Sequence, residues 1–270
     1  MIKRDKLNKT ISLNYRNDDF NIVLITQDSL RHKNFILRIY QEFPAEKIRV
    51  LIYKPLSQQK TKLSLFEKTL KIIKSLINFR EFLYNKRYLN DFRSSENRIF
   101  SQIEKKYLDL KINSIEFNRK DQIVDIFSKM SIDFLISLGG PLIPNEALKL
   151  VKGISLNQHA GISPDYKGNY TTFWPLFHRK LSDIGTTIHI TATGADSGDI
   201  LKVKKTNLDI TDTPSTIFHK TVMLGTETII TVLKDLLDGK ELTYKKQNPL
   251  YGKTYLSKEF TNYHKKFIYM

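Results

Sequence analysis

"GISLNQHAGISPDYKG" spans Gly153 to Gly168. Its first seven residues read as a strand, and a loop carrying Pro164, Asp165 and Gly168 follows. Asn157 and His159 are two apart, so on a strand they share one face. An amide that can donate to an oxyanion, beside an imidazole that can move a proton, suits work on a carbonyl. A polar strand end with a turn after it is the plainer reading, and the stretch taken alone fits it.

The surroundings add weight. "FNIVLITQDS" (Phe20–Ser29) reads as a buried strand, and "LRHKNFILRIYQEF" follows with helical spacing at Leu30, Phe35, Ile36, Ile39, Tyr40 and Phe43. "KIRVLIYKP" (Lys47–Pro55) is a second apolar strand. This β-α-β opening predicts an α/β fold with a mostly parallel sheet. "SIDFLISLGG" (Ser131–Gly140) and "GISLNQH" are further strands, with a short helix "PNEALKLV" between them. Asn157 and His159 therefore sit at the C-terminal end of a strand, where open α/β sheets bind ligands. "YTTFWPLFHRK" (Tyr170–Lys180) reads as helical with Trp174 inward. Two strands around a turn at Gly194–Gly198 come next. The long helix after Thr213 has that residue as N-cap, Pro214 at its first position and Gly239 past its end. In the tail, "KTYLS" reads as a short strand before a final helix.

Residues 60–107 break the pattern. They are helical in spacing, with apolar positions at Leu65, Leu70, Ile72, Ile73, Leu76, Ile77 and Phe79, and 12 Lys/Arg against 5 Asp/Glu give +7. This is an inserted basic helical segment, either a solvated face or a docking surface for an anionic partner. The division expected is a catalytic domain over 1–205 containing the insertion, then a C-terminal helix and tail over 206–270.

Composition excludes several classes. The chain has 270 residues, 40% hydrophobic, which suits a globular protein with a sizeable core. With no cysteine, thiol catalysis, disulfides and cysteine zinc sites are out. No G-x-G-x-x-G follows the first strand and no Walker A sequence exists. "GISPD" lacks the last glycine of a nucleophile elbow, so Ser163 is a weak nucleophile candidate. No H-E-x-x-H occurs, and no metal is expected. His32, His178, His219 and His264 read most simply as surface or capping residues. The formal charge of +16 fits nucleic acid, a membrane surface, an anionic small substrate or simply a lysine-rich proteome. The N-terminus shows no apolar signal region, and no apolar run approaches the ~20 residues that span a bilayer. The expectation is a cytoplasmic protein with no membrane partner.

Five segments in order then carry a resemblance: Leu142-Ile143-Pro144, Asn157-Gln158-His159, Pro164-Asp165-Tyr166-Lys167-Gly168, Gly185-Thr186-Thr187-Ile188-His189 and Asp196-Ser197-Gly198-Asp199-Ile200. Over Phe134–Leu201 the chain resembles the formyltransferases that use 10-formyltetrahydrofolate. Their pattern runs I-L-P, N-x-H-x-S-x-L-P-x-Y-x-G, G-x-T-x-H, then D-x-G. Two departures stand out: the Gly-rich first turn of the purine enzyme is "TQDSLRHKN" here, and Gly161 occupies the family's Ser position. The resemblance implies a Rossmann-like core and a catalytic triad of Asn157, His159 and Asp196. In those roles Asn157 donates to the oxyanion, His159 takes the amine proton, and Asp196 orients His159 and shuttles a proton to the leaving nitrogen. Without the resemblance Asp196 is an ordinary turn residue. His189 reads as structural. The same resemblance implies a pterin held between Gly140-Pro141-Leu142-Ile143 and Thr193-Gly194-Ala195.

For the acceptor amine, three family substrates compete. Glycinamide ribonucleotide wants the missing Gly-rich turn. Methionyl-tRNA wants a further C-terminal barrel, for which some 60 residues after the hairpin leave little length. A nucleotide-linked amino sugar, on the way to a surface polysaccharide such as lipopolysaccharide, is the expected acceptor. Arg31 and Lys33 are candidates for its diphosphate, and Tyr166 and Trp174 for stacking on a ring. A formyltetrahydrofolate hydrolase, a non-catalytic relative and a nucleic-acid-binding module are the other classes, with nucleic acid disfavoured. A homo-oligomer stays open.

Overall fold

The computed structural model describes residues 2–5, 9–13, 20–55, 64, 65, 69, 79–110, 112–248 and 251–269. The predicted apolar positions Leu70, Ile72, Ile73, Leu76 and Ile77 lie outside them.

Strand β1 (Ile2–Asp5) and strand β2 (Thr10–Leu13) form an antiparallel ribbon ahead of the predicted opening. Strand β3 (Ile22–Thr26), helix α1 (Leu30–Glu42) and strand β4 (Ile48–Tyr53) are the β-α-β unit. Every residue of β3 is buried, as a parallel strand covered on both faces requires. The insertion supplies α2 (Phe79–Phe100) and α3 (Ile103–Asp109). Then come β5 (Ser114–Phe117), α4 (Gln122–Ser128), β6 (Ile132–Ser137), α5 (Asn145–Leu148) and β7 (Val151–His159). After these lie β8 (Tyr166–Gly168), α6 (Phe173–Phe177), β9 (Gly185–Ile190) and β10 (Ile200–Lys205). The chain finishes with α7 (Pro214–Leu237), β11 (Leu242–Thr243), β12 (Lys253–Tyr255) and α8 (Asn262–Tyr269).

The central sheet has seven strands in the order β10-β9-β7-β6-β3-β4-β5. From β7 to β5 all pairings are parallel. Beyond β7, the β9–β10 hairpin continues the sheet antiparallel. This is the expected α/β architecture. Two smaller ladders join distant segments: β11 extends the β1–β2 ribbon, and β12 pairs in parallel with β8.

Both faces of the sheet are packed. On one, Phe35, Ile36 and Ile39 of α1 and Ile229, Leu233 and Leu236 of α7 share one apolar cluster with Leu24, Phe134 and Leu156. On the other, Val23, Ile25 and Leu135 meet Ile123, Phe127 and Ala147. Helix α7 thus packs within the same core as the opening strands. Its start is as predicted: Thr213 Oγ1 accepts from the Thr216 N–H at 3.2 Å, and Thr216 Oγ1 accepts from the Thr213 N–H at 2.8 Å. That reciprocal cap satisfies two of the orphan donors of the first turn.

Alternation along β7 matters most for the site. Gln158 points away from Asn157 and His159 and donates through Nε2 to the Val222 carbonyl of α7 at 2.7 Å. Gly225 permits this approach, because a Cβ there would come within 2.4 Å of Gln158 Nε2. One strand residue therefore ties the sheet to its covering helix, and its two neighbours face the open side.

Two histidines differ from expectation. His32 and His219 are buried, not superficial. His32 Nδ1 meets Thr26 Oγ1 at 2.7 Å, and burial, with Arg31 adding to it, holds its pKa well below the usual value. His219 Nδ1 meets Ser95 Oγ at 3.0 Å, which ties α7 to α2, and burial pushes its pKa down to about 4. Both histidines face a neighbouring element, not water.

The core sets a stability expectation. Phe35 is fully buried against the sheet. Phe35→Ala removes a ring from a packed interior and is expected to cost about 3–5 kcal/mol, read as a lower midpoint in urea unfolding with an unchanged slope.

Candidate active site

Register across three strands builds the site. Asn157 on β7 stands opposite Ser137 of β6 on one side and opposite His189 of β9 on the other. The Ser137 hydroxyl donates to Asn157 Oδ1 at 2.8 Å, which fixes the amide with its nitrogen turned outward. That nitrogen lies 3.1 Å from His189 Nε2 and donates to Asp196 Oδ1 at 3.3 Å.

Asp196 arrives from the loop between β9 and β10, with φ of 49°. This is the left-handed region, where a non-glycine residue is held only by its surroundings. Its second oxygen, Oδ2, accepts from the Gly168 N–H at 2.8 Å and lies 3.2 Å from His159 Nδ1. Burial alone would raise its pKa. The charge of His159, the hydrogen bond and charge of His189 and the Gly168 N–H outweigh that and hold it at about 2.

His159 is 6% exposed. Its Nε2 meets the Tyr166 carbonyl at 2.7 Å, so that nitrogen carries a hydrogen. With a carbonyl on one nitrogen and a carboxylate on the other, the ring satisfies both acceptors only as the imidazolium. Using Nε2 on a substrate means exchanging the Tyr166 carbonyl for a substrate atom.

His189 belongs to this cluster too, which the alternation of its strand did not disclose. Its Nδ1 donates to the Ile190 carbonyl at 2.9 Å, leaving Nε2 to face the site. When bare, Nε2 accepts from Asn157; when protonated, it donates to Asp196 Oδ1, 3.4 Å away. In the second state one Asn157 amide hydrogen is released toward the cavity.

Asn157, His159, His189 and Asp196 line one cavity of about 650 Å³. Its volume lies in the range of small-molecule sites. Gly140, Pro141, Leu142 and Ile143 line it as well, and so do Gly194 and Ala195. Thr193 is exposed beside them. Leu142 is 56% exposed, whereas Ile143 is buried in the core, so the loop presents an apolar side chain and backbone to the cavity. The far wall is aromatic: Tyr88 and Phe92 of α2, Phe173 of α6 and Phe218 of α7.

The four proposed acceptor contacts fare differently. Arg31 lines the cavity, with its guanidinium 5.5 Å from the Phe92 ring and 5.7 Å from that of Phe218. Its Nη1 donates to Glu96 at 2.8 Å. Lys33 does not reach the cavity; it pairs with Glu104 at 3.2 Å, on the side of α1 that packs against α3. The two residues are two helical steps apart, about 200° around α1, which sends their side chains to opposite sides. Tyr166 and Trp174 are 4% exposed and packed with Tyr255 and Phe260, so their ring faces are occupied by protein. Tyr166 serves the site through its backbone carbonyl instead.

Among the described residues no helix is long and apolar enough to cross a membrane.

Residues 91–233 match the family model described as formyl transferase. A methionyl-tRNA formyltransferase from Listeria monocytogenes is 31% identical over 121 residues, which cover 44% of this chain and 38% of that protein. The chain thus spans less than half the length of the curated relatives it matches. A 4-N formyltransferase from Francisella tularensis superimposes with a TM-score of 0.57 at 17% identity, over 89% of this chain and 78% of that one. The N-formyltransferase from Helicobacter canadensis, solved with folinic acid and dTDP-3-aminofucose, gives 0.54 at 14% identity, over 89% and 72%. At these identities the likeness is one of fold.

The buried carboxylate makes stability depend on pH in a defined direction. The Asp196 pKa is depressed from 3.8 to about 2 in the folded chain. Its contribution is complete above the unfolded value and is lost as pH falls through the folded one. Asp196→Asn is expected to remove on the order of 2 kcal/mol from the stability difference between pH 6 and pH 2. Urea unfolding of both proteins across that range checks it.

Proposed function

Because the chain belongs to the formyl transferase family, we propose that it moves a formyl group from 10-formyltetrahydrofolate to the amine of an acceptor. The observation that supports this most directly is the joining of Asn157, His159 and Asp196 around one carboxylate at the mouth of a single cavity. The loops containing Gly140–Ile143 and Gly194–Ala195 fit a folate. They offer backbone donors and acceptors beside an exposed Leu142, which suits a flat heterocycle with polar edges.

The chemistry asked of the residues is modest. A new C–N bond forms from the acceptor amine to the formyl carbon, and the bond from that carbon to the folate nitrogen breaks. The proton lost by the amine ends on the folate nitrogen. Asn157 donates an amide hydrogen to the transient oxyanion in exchange for its His189 contact. Once its Tyr166 contact is released and Nε2 is bare, His159 accepts the amine proton there and passes it to the folate nitrogen, while Asp196 accepts from Nδ1 and keeps the ring oriented. Burial of the cluster strengthens each of these interactions relative to water.

For the acceptor we propose a nucleotide-linked amino sugar, made for a surface polysaccharide. The cavity supports this with Arg31 among aromatic rings, a setting suited to a phosphate-bearing sugar with apolar faces. The Arg31 guanidinium has five N–H donors, and its Glu96 contact runs through Nη1, so a ligand oxygen can share it. Methionyl-tRNA is the second reading, supported by the sequence relatives.

The decisive assay offers 10-formyltetrahydrofolate with nucleotide-linked 3-amino and 4-amino sugars, methionyl-tRNA and glycinamide ribonucleotide in separate reactions. Mass spectrometry looks for a product heavier by one formyl group. An amino sugar is the expected substrate; transfer to methionyl-tRNA alone moves the assignment to the second reading. His159→Ala, Asp196→Ala and Asn157→Ala should each slow turnover by ~10² or more with folate binding by calorimetry retained. Near-normal turnover in any of them removes that residue from the mechanism.

A further inference from the structure

Asp196 is held by more than its carboxylate partners. The backbone carbonyl of Asp196 accepts from Gln247 Nε2 at 3.0 Å, and the same nitrogen donates to the Gly198 carbonyl at 2.6 Å. Both partners are carbonyl oxygens, so the nitrogen of the Gln247 amide, not its oxygen, faces the loop. Gln247 lies beyond β11, outside the residues matched by the family model. It is anchored next door: the Ile200 N–H donates to the Lys245 carbonyl at 2.8 Å, and the Lys245 N–H donates back at 2.8 Å.

The loop needs such an anchor. Asp196 stands at positive φ, and Gly198 has no space for a side chain, since a Cβ there would sit 1.6 Å from the Ile190 carbonyl oxygen. A non-glycine residue in this backbone region persists only where its surroundings hold it. Two hydrogen bonds from one side chain, on either side of Ser197, fix the turn that aims the carboxylate. A small rotation of that turn would move Oδ1 from Asn157 and Oδ2 from the Gly168 N–H and His159.

We propose that Gln247 is a positioning residue for the transfer reaction, locking the Asp196 turn so that both carboxylate oxygens meet their donors. The role rests on the function proposed above, because it acts through Asp196. Gln247 is not among the residues that line the cavity, and it makes the segment after α7 part of the working site.

The test uses the whole chain with Gln247→Ala, Gln247→Met, which keeps the length without donors, and Lys246→Ala as an exposed neighbour. Carbon NMR of the Asp196 carboxyl reads the aim of the group directly. The midpoint of about 2 in the parent chain should rise toward or above 3.8 in both Gln247 variants and stay put in Lys246→Ala. The charged and titrating groups facing that carboxyl are His159 and His189, so their ring signals are followed in the same titration. Turnover should fall ~10-fold or more while the KM for the folate is unchanged. In the parent chain the Gln247 side-chain amide hydrogens should exchange slowly with solvent. Fast exchange of those hydrogens, or an unmoved Asp196 midpoint with parental turnover, overturns the proposal even if one variant fails to fold. An Asp196 midpoint that moves, in a parent chain that transfers no formyl group, keeps the positioning role and removes the reaction.

Discussion

A carboxylate withdrawn from water stays ionised only if donors replace the water, and Asp196 is surrounded by them. The Asn157 amide and the His189 ring face one oxygen; the Gly168 N–H and the His159 ring face the other. Desolvation of a lone carboxyl at this depth would drive it toward the neutral acid. The four groups come from three strands, so the ion can exist only when β7, β8 and β9 are all in place. The site is in this sense a sensor of its own sheet. Any slip of one residue between β7 and β9 would turn His189 to the opposite face and break the arrangement.

Rigid and adjustable parts are divided between the two sides of the cavity. The catalytic side is fixed by sheet register, by Ser137 on the Asn157 amide and by Gln158 on α7. The opposite side is built from α2, α6 and α7, where Phe173 stacks on Phe218 and the rings of Tyr88 and Phe92 meet them edge-to-face and tilted. Such surfaces exchange one ring for another without disturbing a hydrogen-bond ladder. The two sides of the cavity can therefore vary independently in this architecture, one tied to strands and the other to helices.

Much of this was readable from residues alone, for identifiable reasons. Continuous apolar runs such as Ile22–Ile25 mark parallel strands buried on both faces, and Thr213-Pro214 marks a helix start through its own local chemistry. Asn157 and His159 were legible because their spacing matches a strand face, whereas Asp196, an ordinary turn residue by itself, stood out only through the family resemblance. His189 was not, since its relation to Asn157 depends on which strands are neighbours, a property of the sheet and not of any segment. Tyr166 and Trp174 look the same in a sequence whether a ligand or a protein ring lies over them; Tyr255 and Phe260, far along the chain, decide it. Lys33 failed for a local reason, because α3 offers it Glu104. Nothing near Gln247 signals a role, as its partners are main-chain carbonyls.

The parallel pairing of β12 with β8 has a consequence for how the chain comes alive. Gly168, whose N–H steadies the carboxylate, is clasped by Tyr255, with the Asn169 N–H on the Tyr255 carbonyl at 2.8 Å. During synthesis the strands carrying Asn157, His159 and His189 leave the ribosome well before that clasp exists. The growing polypeptide can acquire its sheet and still lack a finished centre until residues near 255 are free to fold back. The order of translation thus separates acquiring the scaffold from completing the carboxylate's set of donors.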